Sequence, residues 1–210
     1  MINHYRSFAF YIKYWDEMEY LYKHLDNGKT KKLLQRSGLK NTDEILYQIK
    51  EVGDMASEQA AKLLFKCNEA VISHLNKFCN VKNRRTISGV KNDWWTEIRL
   101  KPNSKKKWRA TAGVSLSNAN SNNIFSFIWV PSEKEESLYD FIKSTKISKY
   151  VGRSYEEGYM SGCVLFGKVN PKNYIRNYEL EEKRLINDVV KSFLKINSNI
   201  LRKIFKAADV

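Results

Sequence analysis

Apolar residues in the first eighty positions recur at steps of three and four. Phe8, Tyr11, Ile12, Trp15, Met18, Tyr22 and Leu25 fall on one face of a helix predicted to end near Gly28. A short helix from Thr30 to about Arg36 follows, stopped at Ser37-Gly38. Thr42 then reads as the N-cap of a long helix. Its stripe runs Ile45, Ile49, Val52, Ala56, Ala60, Leu63, Cys67, Val71, His74 and Phe78, with Gly53 as a possible break.

From Trp94 the period changes to two. Trp94, Thr96, Ile98 and Leu100 alternate with Trp95, Glu97, Arg99 and Lys101, as on a strand. A second strand, Trp108 to Ser117, puts Trp108, Ala110, Ala112, Val114 and Leu116 on one face. Asn118 to Asn123 is a polar turn, and Ile124 to Val130 is apolar on both faces, as a central strand would be. Pro131 and Ser132 open a predicted helix over 133–143, and Lys146 to Gly158 reads as irregular. Tyr159 to Val169 reads as a fourth strand. Tyr178 to about Ala207 reads as a long helix with Leu185, Val189, Phe193, Ile196, Ile200 and Ile204 inward. The predicted class is α+β: a helical N-terminal half packed with a small antiparallel β-meander of about four strands and a long C-terminal helix. Residues 1–81 form the helical scaffold and 82–210 the sheet with its helices, in one continuous globular unit.

Charge changes the picture next. The chain of 210 residues carries a net charge of +14, and residues 1–81 hold +2 of it. Lys82 to Arg109 holds ten basic residues against Asp93 and Glu97. Trp94, Trp95 and Trp108 lie in the same window. Phosphates require cations and exposed bases stack on flat apolar faces, so this composition suits a polyanion. Arg99, Lys101, Lys105, Lys106, Lys107 and Arg109 would line a basic hairpin over roughly 20–30 Å. Arg84 and Arg85 extend it. Lysines outnumber arginines in this hairpin, four to two, which favours backbone contact over the bidentate reading of guanine. Trp94 and Trp108 share phase with apolar neighbours and read as core, whereas Trp95 is the stacking candidate.

A second basic series, Lys143, Lys146, Lys149, Arg153, Lys168, Lys172 and Arg176, is interleaved with Tyr150, Tyr155, Tyr159 and Tyr174. If it folds beside the hairpin, the two make one positive surface. The bland alternative for the hairpin is a solvated turn whose lysines keep an edge strand from pairing.

Other chemistries find less support. A metal-dependent nuclease needs a carboxylate and a lysine two residues apart on a strand; Glu97 has Arg99 at that spacing, and Lys101 lies about 13 Å away. The strands 108–117 and 124–130 contain no carboxylate. Glu97 paired with a cross-strand Arg109 is the expected arrangement. In a helix-turn-helix reading of Thr30 to Gly53, Thr42-Asp43-Glu44 would set two carboxylates against phosphate. His4, His24 and His74 have no partner at metal-chelating spacing. Cys67, Cys79 and Cys163 form neither a disulfide framework nor a zinc motif, and Cys163 reads as a buried thiol. Gly152, Gly158 and Gly162 match no phosphate loop. No metal or cofactor is expected.

Lys13, Asp16, Glu17 and Glu19 interrupt the first apolar run, which excludes a signal peptide or a spanning helix there. The expectation is a soluble, cytoplasmic protein, and 19 asparagines beside the many lysines suit an A/T-rich coding genome. The functional expectation is a non-enzymatic nucleic-acid-binding protein, DNA or RNA, with little base specificity. The alternatives are a subunit or inhibitor that docks its basic face on an acidic protein surface, and the nuclease.

Overall fold

A computed structural model describes residues 3–25, 28–75, 81–90, 93–100, 111–117, 122–131, 151–154 and 161–194, with 199, 202–203 and 206 beyond them. The first helix, α1 (His4–Lys13), is capped by Asn3, whose side-chain oxygen accepts from the Arg6 N–H at 2.9 Å. The predicted single N-terminal helix is two: Tyr14, at φ −114° and ψ 45°, separates α1 from α2 (Trp15–Lys23). The Tyr14 N–H still donates to Phe10 and its carbonyl still accepts from Met18, so the break leaves no orphaned group. The apolar stripe crosses it intact. Phe8, Tyr11, Ile12, Trp15 and Met18 are all buried.

Helix α3 (Gly28–Arg36) ends in a Schellman turn. The Leu39 N–H reaches back to the Leu34 carbonyl and the Gly38 N–H to that of Gln35, while Gly38 takes φ +83°. That left-handed position explains why the chain stops at Ser37-Gly38. Helix α4 (Thr42–Leu75) begins one residue earlier than expected: the Asn41 carbonyl accepts the Ile45 N–H, so Asn41 is the cap and Thr42 is the first, buried, helical residue. Gly53 does not break it. The stripe from Ala56 through Val71 faces inward as its periodicity requires; His74 and Phe78 lie outside the described side chains.

The sheet has six described strands rather than about four. They are β1 (Val81–Val90), β2 (Asp93–Leu100), β3 (Thr111–Ser117), β4 (Asn123–Pro131), β5 (Val151–Ser154) and β6 (Ser161–Val169), ordered β1-β2-β3-β4-β6-β5 with every pairing antiparallel. The two unforeseen strands have physical explanations. Strand β1 has Val81, Ile87 and Val90 as its only apolar side chains among ten residues, so no period-two apolar pattern marks it, and its register shifts by two residues between Lys82 and Arg85 near its start. Strand β5 is four residues long, too short for a pattern, and occupies part of the stretch read as irregular. Pro131 closes β4. The predicted helix over 133–143 lies outside the described residues.

After β6, Asn170 caps a 3₁₀ segment, Pro171–Asn177, by accepting from the Lys172 N–H at 2.9 Å. Helix α5 (Tyr178–Leu194) follows, with Leu185 and Val189 buried; its predicted extension toward Ala207 is not among the continuously described residues. Helix α4 packs on β1, β2 and β3, and α5 packs on β4 and β6, so the two cover one face of the sheet. Thr96, Ala112, Val114, Leu116, Ile124 and Ser126 are buried against them. Helix α1 lies on α4 and the 3₁₀ segment. The core is drawn from both sides of residue 81, and the chain is α+β.

Candidate nucleic-acid interface

Four of the candidate residues lie on described strands: Arg84 and Arg85 on β1, and Trp95 and Arg99 on β2. Strand β1 is an edge of the sheet. Lys82 stands opposite Arg99, and the next pair is Arg85 with Ile98, so Asn83 and Arg84 occupy the bulge between them. The backbone positions of Lys82, Arg84, Arg85 and Arg99 therefore gather at one end of the β1–β2 ladder, within about 10 Å along β1. Bulges add local twist and re-aim an edge, a common device where a strand meets a ligand.

The chain leaves β2 from this same end. Arg99 pairs with Thr111 across the connection to β3, so residues 101–110 both depart from it and return to it. Lys101, Lys105, Lys106, Lys107 and Arg109 belong to that connection and lie outside the described residues, as does Trp108. Asp93 sits at the far end of β2, opposite Val90 and about 20 Å from Arg99. Glu97, two residues before Arg99, is the acid of β2 nearest the Arg99 end.

Trp95 takes the register position opposite Ser88 on β1 and Ser115 on β3. Glu97 stands opposite Thr86 and Gly113. Arg109 is therefore not the cross-strand neighbour of Glu97, correcting the expected pair: β3 is in a register that aligns Gly113, four residues further on, with Glu97.

Among the described residues, Lys168, Lys172 and Arg176 of the second basic series are not gathered with the first. Lys168 precedes Val169, which pairs with Ile124, and Ile124 is level with Leu116 and Trp94. Lys168 and the 3₁₀ residues Lys172 and Arg176, all exposed, therefore sit toward the end of the sheet opposite Arg99. Arg153 is on β5, the other edge of the sheet from β1. Lys143, Lys146 and Lys149 lie outside the described residues.

The segment weighed as helix-turn-helix is a helical hairpin whose acids are engaged. Lys31 Nζ lies 2.7 Å from the Asp43 carboxylate, and Asn41 Nδ2 donates to Glu44 at 3.4 Å. Among the described residues no three His, Cys, Asp or Glu side chains form a group able to hold a metal ion.

Among the described residues, the interior contains a polar cluster that sequence reading did not find. Glu182 of α5 is 8% exposed and accepts from Gln59 Nε2 at 2.7 Å, Lys66 Nζ at 2.5 Å and the Tyr178 hydroxyl at 3.4 Å. Burial, then the nearby Glu182 carboxylate, pushes the Cys67 thiol well above its ordinary range. A thiol held protonated is a poor nucleophile. The same two causes raise the Tyr178 hydroxyl. Tyr174 donates to Asp188 at 2.7 Å, and burial together with that hydrogen bond pushes it up to about 12. The signal for the cluster was faint: Gln59 and Lys66 are two helical turns apart, but their partner is more than a hundred residues away.

No helix among the described residues is long and apolar enough to cross a membrane. Set against known proteins, the chain matches no family model, no curated protein and no solved structure.

Proposed function

We propose that this chain is a non-enzymatic nucleic-acid-binding protein of the cytoplasm that grips phosphate backbone with one end of its sheet. The observation that carries the reading is the concentration of ten basic residues in Lys82 to Arg109 against two acids. The register supports it by drawing Lys82, Arg84, Arg85 and Arg99 to the end from which the lysine-bearing connection 101–110 departs. Arg99, Lys101, Lys105, Lys106, Lys107 and Arg109 would neutralise phosphates and release their counterions, with Arg84 and Arg85 at the flank and Trp95 available for stacking. Lysine-dominated contact carries little base information, so the affinity would be strong and the specificity low.

Titration of nucleic-acid-free protein into labelled single- and double-stranded DNA and RNA tests this. With about six phosphate contacts, affinity falls about a thousandfold between about 50 and 200 mM salt. Reversing Lys105, Lys106 and Lys107 to Glu weakens binding at the lower salt and flattens the slope by about three contacts, with the circular dichroism unchanged. An unaltered slope in that triple variant refutes the assigned site. No binding to any of the polymers at the lower salt refutes the reading and directs the basic end to an acidic protein surface.

A further inference from the structure

The nearly neutral helical half conceals a second basic element. Between Gly28 and Lys40 the chain carries Lys29, Lys31, Lys32, Arg36 and Lys40 and neither Asp nor Glu. At about 100° per residue, Lys29, Lys32, Leu33 and Arg36 fall within one strip of α3 about 100° wide. All four are exposed, whereas Thr30, about 110° round the helix from the centre of that strip, is buried and Lys31 is engaged by Asp43. Leu33 is 60% exposed. The Schellman turn then reverses the chain, so that Leu39, 45% exposed, and the exposed Lys40 directly follow the helix. Two leucines stand in water amid cations.

Nucleic acid would use the cations but offers aliphatic side chains little, because its apolar recognition works through stacking on flat faces. An anionic bilayer surface offers both halves of what this element presents. Its headgroups attract Lys and Arg, and the boundary with the acyl chains takes up leucine. We propose that α3 and its C-terminal turn form a peripheral docking surface for anionic membranes. Leu33 and Leu39 enter the acyl boundary, and Lys32, Arg36 and Lys40 face the lipid headgroups. The helix lies along the surface and does not cross it. Being about 13 Å long, it binds reversibly, with most of the attraction electrostatic.

Co-sedimentation of the full chain with vesicles tests this, comparing phosphatidylcholine alone with phosphatidylcholine containing one-third phosphatidylserine. The protein pellets with the anionic vesicles and stays in solution with the neutral ones. Each basic residue contributes about a fivefold gain near such a surface, so the K32E/R36E/K40E variant binds at least about a hundredfold more weakly. The L33S/L39S variant loses about tenfold or more while keeping its charge. On the unaltered protein, anionic vesicles slow amide exchange across 29–40, which tests the site without any substitution. Absence of pelleting, absence of that protection, or full vesicle binding by K32E/R36E/K40E overturns the proposal. So does a result in which the α3 variants lose oligonucleotide binding and keep vesicle binding, since the occupant would then be nucleic acid.

Discussion

Gly113 sets how closely two strands approach. A Cβ there would run into the Thr96 carbonyl oxygen on β2 and come within 2.9 Å of Cζ of Phe127 on β4. Phe127 is the register partner of Gly113, and its ring occupies the space a side chain would need. Backbone on one side and a buried aromatic on the other leave little room to give. Gly113→Ala is therefore expected to destabilise the fold by about 3 kcal/mol, as overpacking a rigid site does. Urea denaturation should show a lower midpoint with an unchanged slope; an unshifted midpoint would mean that β3 can move away from β2 at no cost. The alternation along β3 was legible in the sequence, and it correctly set Ala112, Val114 and Leu116 inward. The need for glycine at 113 was not, because it arises from the register with two other strands.

At the scale of elements, Gly38 carries the corresponding argument for α3. Its φ of +83° is one that glycine adopts without penalty, and no other atom lies within 4 Å of where a Cβ would stand. Gly38→Ala thus introduces backbone strain and no clash, costing about 1 kcal/mol. Since Thr30 is the one buried residue of α3, that loss should appear as faster amide exchange confined to 28–40 rather than as a comparable drop in global stability. Uniform loss across the whole chain would show that the turn anchors more than its own helix. This stop was legible from Ser37-Gly38 because turn chemistry is local. So was the stripe of α4, which repeats over many turns. The break at Tyr14 was not, since neither proline nor glycine marks it and the apolar phase runs through unchanged. Strand β1 was hidden for a different reason: with Val81, Ile87 and Val90 as its only apolar side chains among ten residues, it carries no alternation to read. The charge of α3 was hidden by averaging, because acids elsewhere in residues 1–81 offset five cations packed into one short stretch.

Over the whole molecule, the helical cover of the sheet is made from two distant parts of the chain, and a polar join holds them together. Helix α4 lies on β1 to β3, whereas α5 lies on β4 and β6. Glu182 links them through Gln59 and Lys66, and Tyr178 adds ring contact with Phe8 of α1 at 4.9 Å between centroids. Lys66 is 47% exposed on its side chain and can return to water, so its ion pair contributes modestly. Gln59 is 2% exposed and cannot. Glu182→Ala strands the Gln59 amide and opens a small cavity, for an expected loss of about 3 kcal/mol. Glu182→Gln keeps an acceptor for Gln59 and gives up the charge facing Lys66, so it should cost about 1 kcal/mol. The order of the two losses separates the hydrogen bond from the ion pair, and equal losses would assign the join to charge. Because the join bridges helices on both halves of the sheet, far-ultraviolet dichroism and tryptophan fluorescence should shift together in Glu182→Ala. Divergence of the two probes would mean that α5 with β4 and β6 can come away from α4 with β1 to β3. Oligonucleotide affinity should be unchanged wherever Glu182→Ala remains folded, since the cluster lies between helices and Lys82, Arg84, Arg85 and Arg99 stand on β1 and β2. A fall in affinity would show that gripping the polymer depends on how the helices hold the sheet, which would make the basic end a property of the assembled fold rather than of its strands alone.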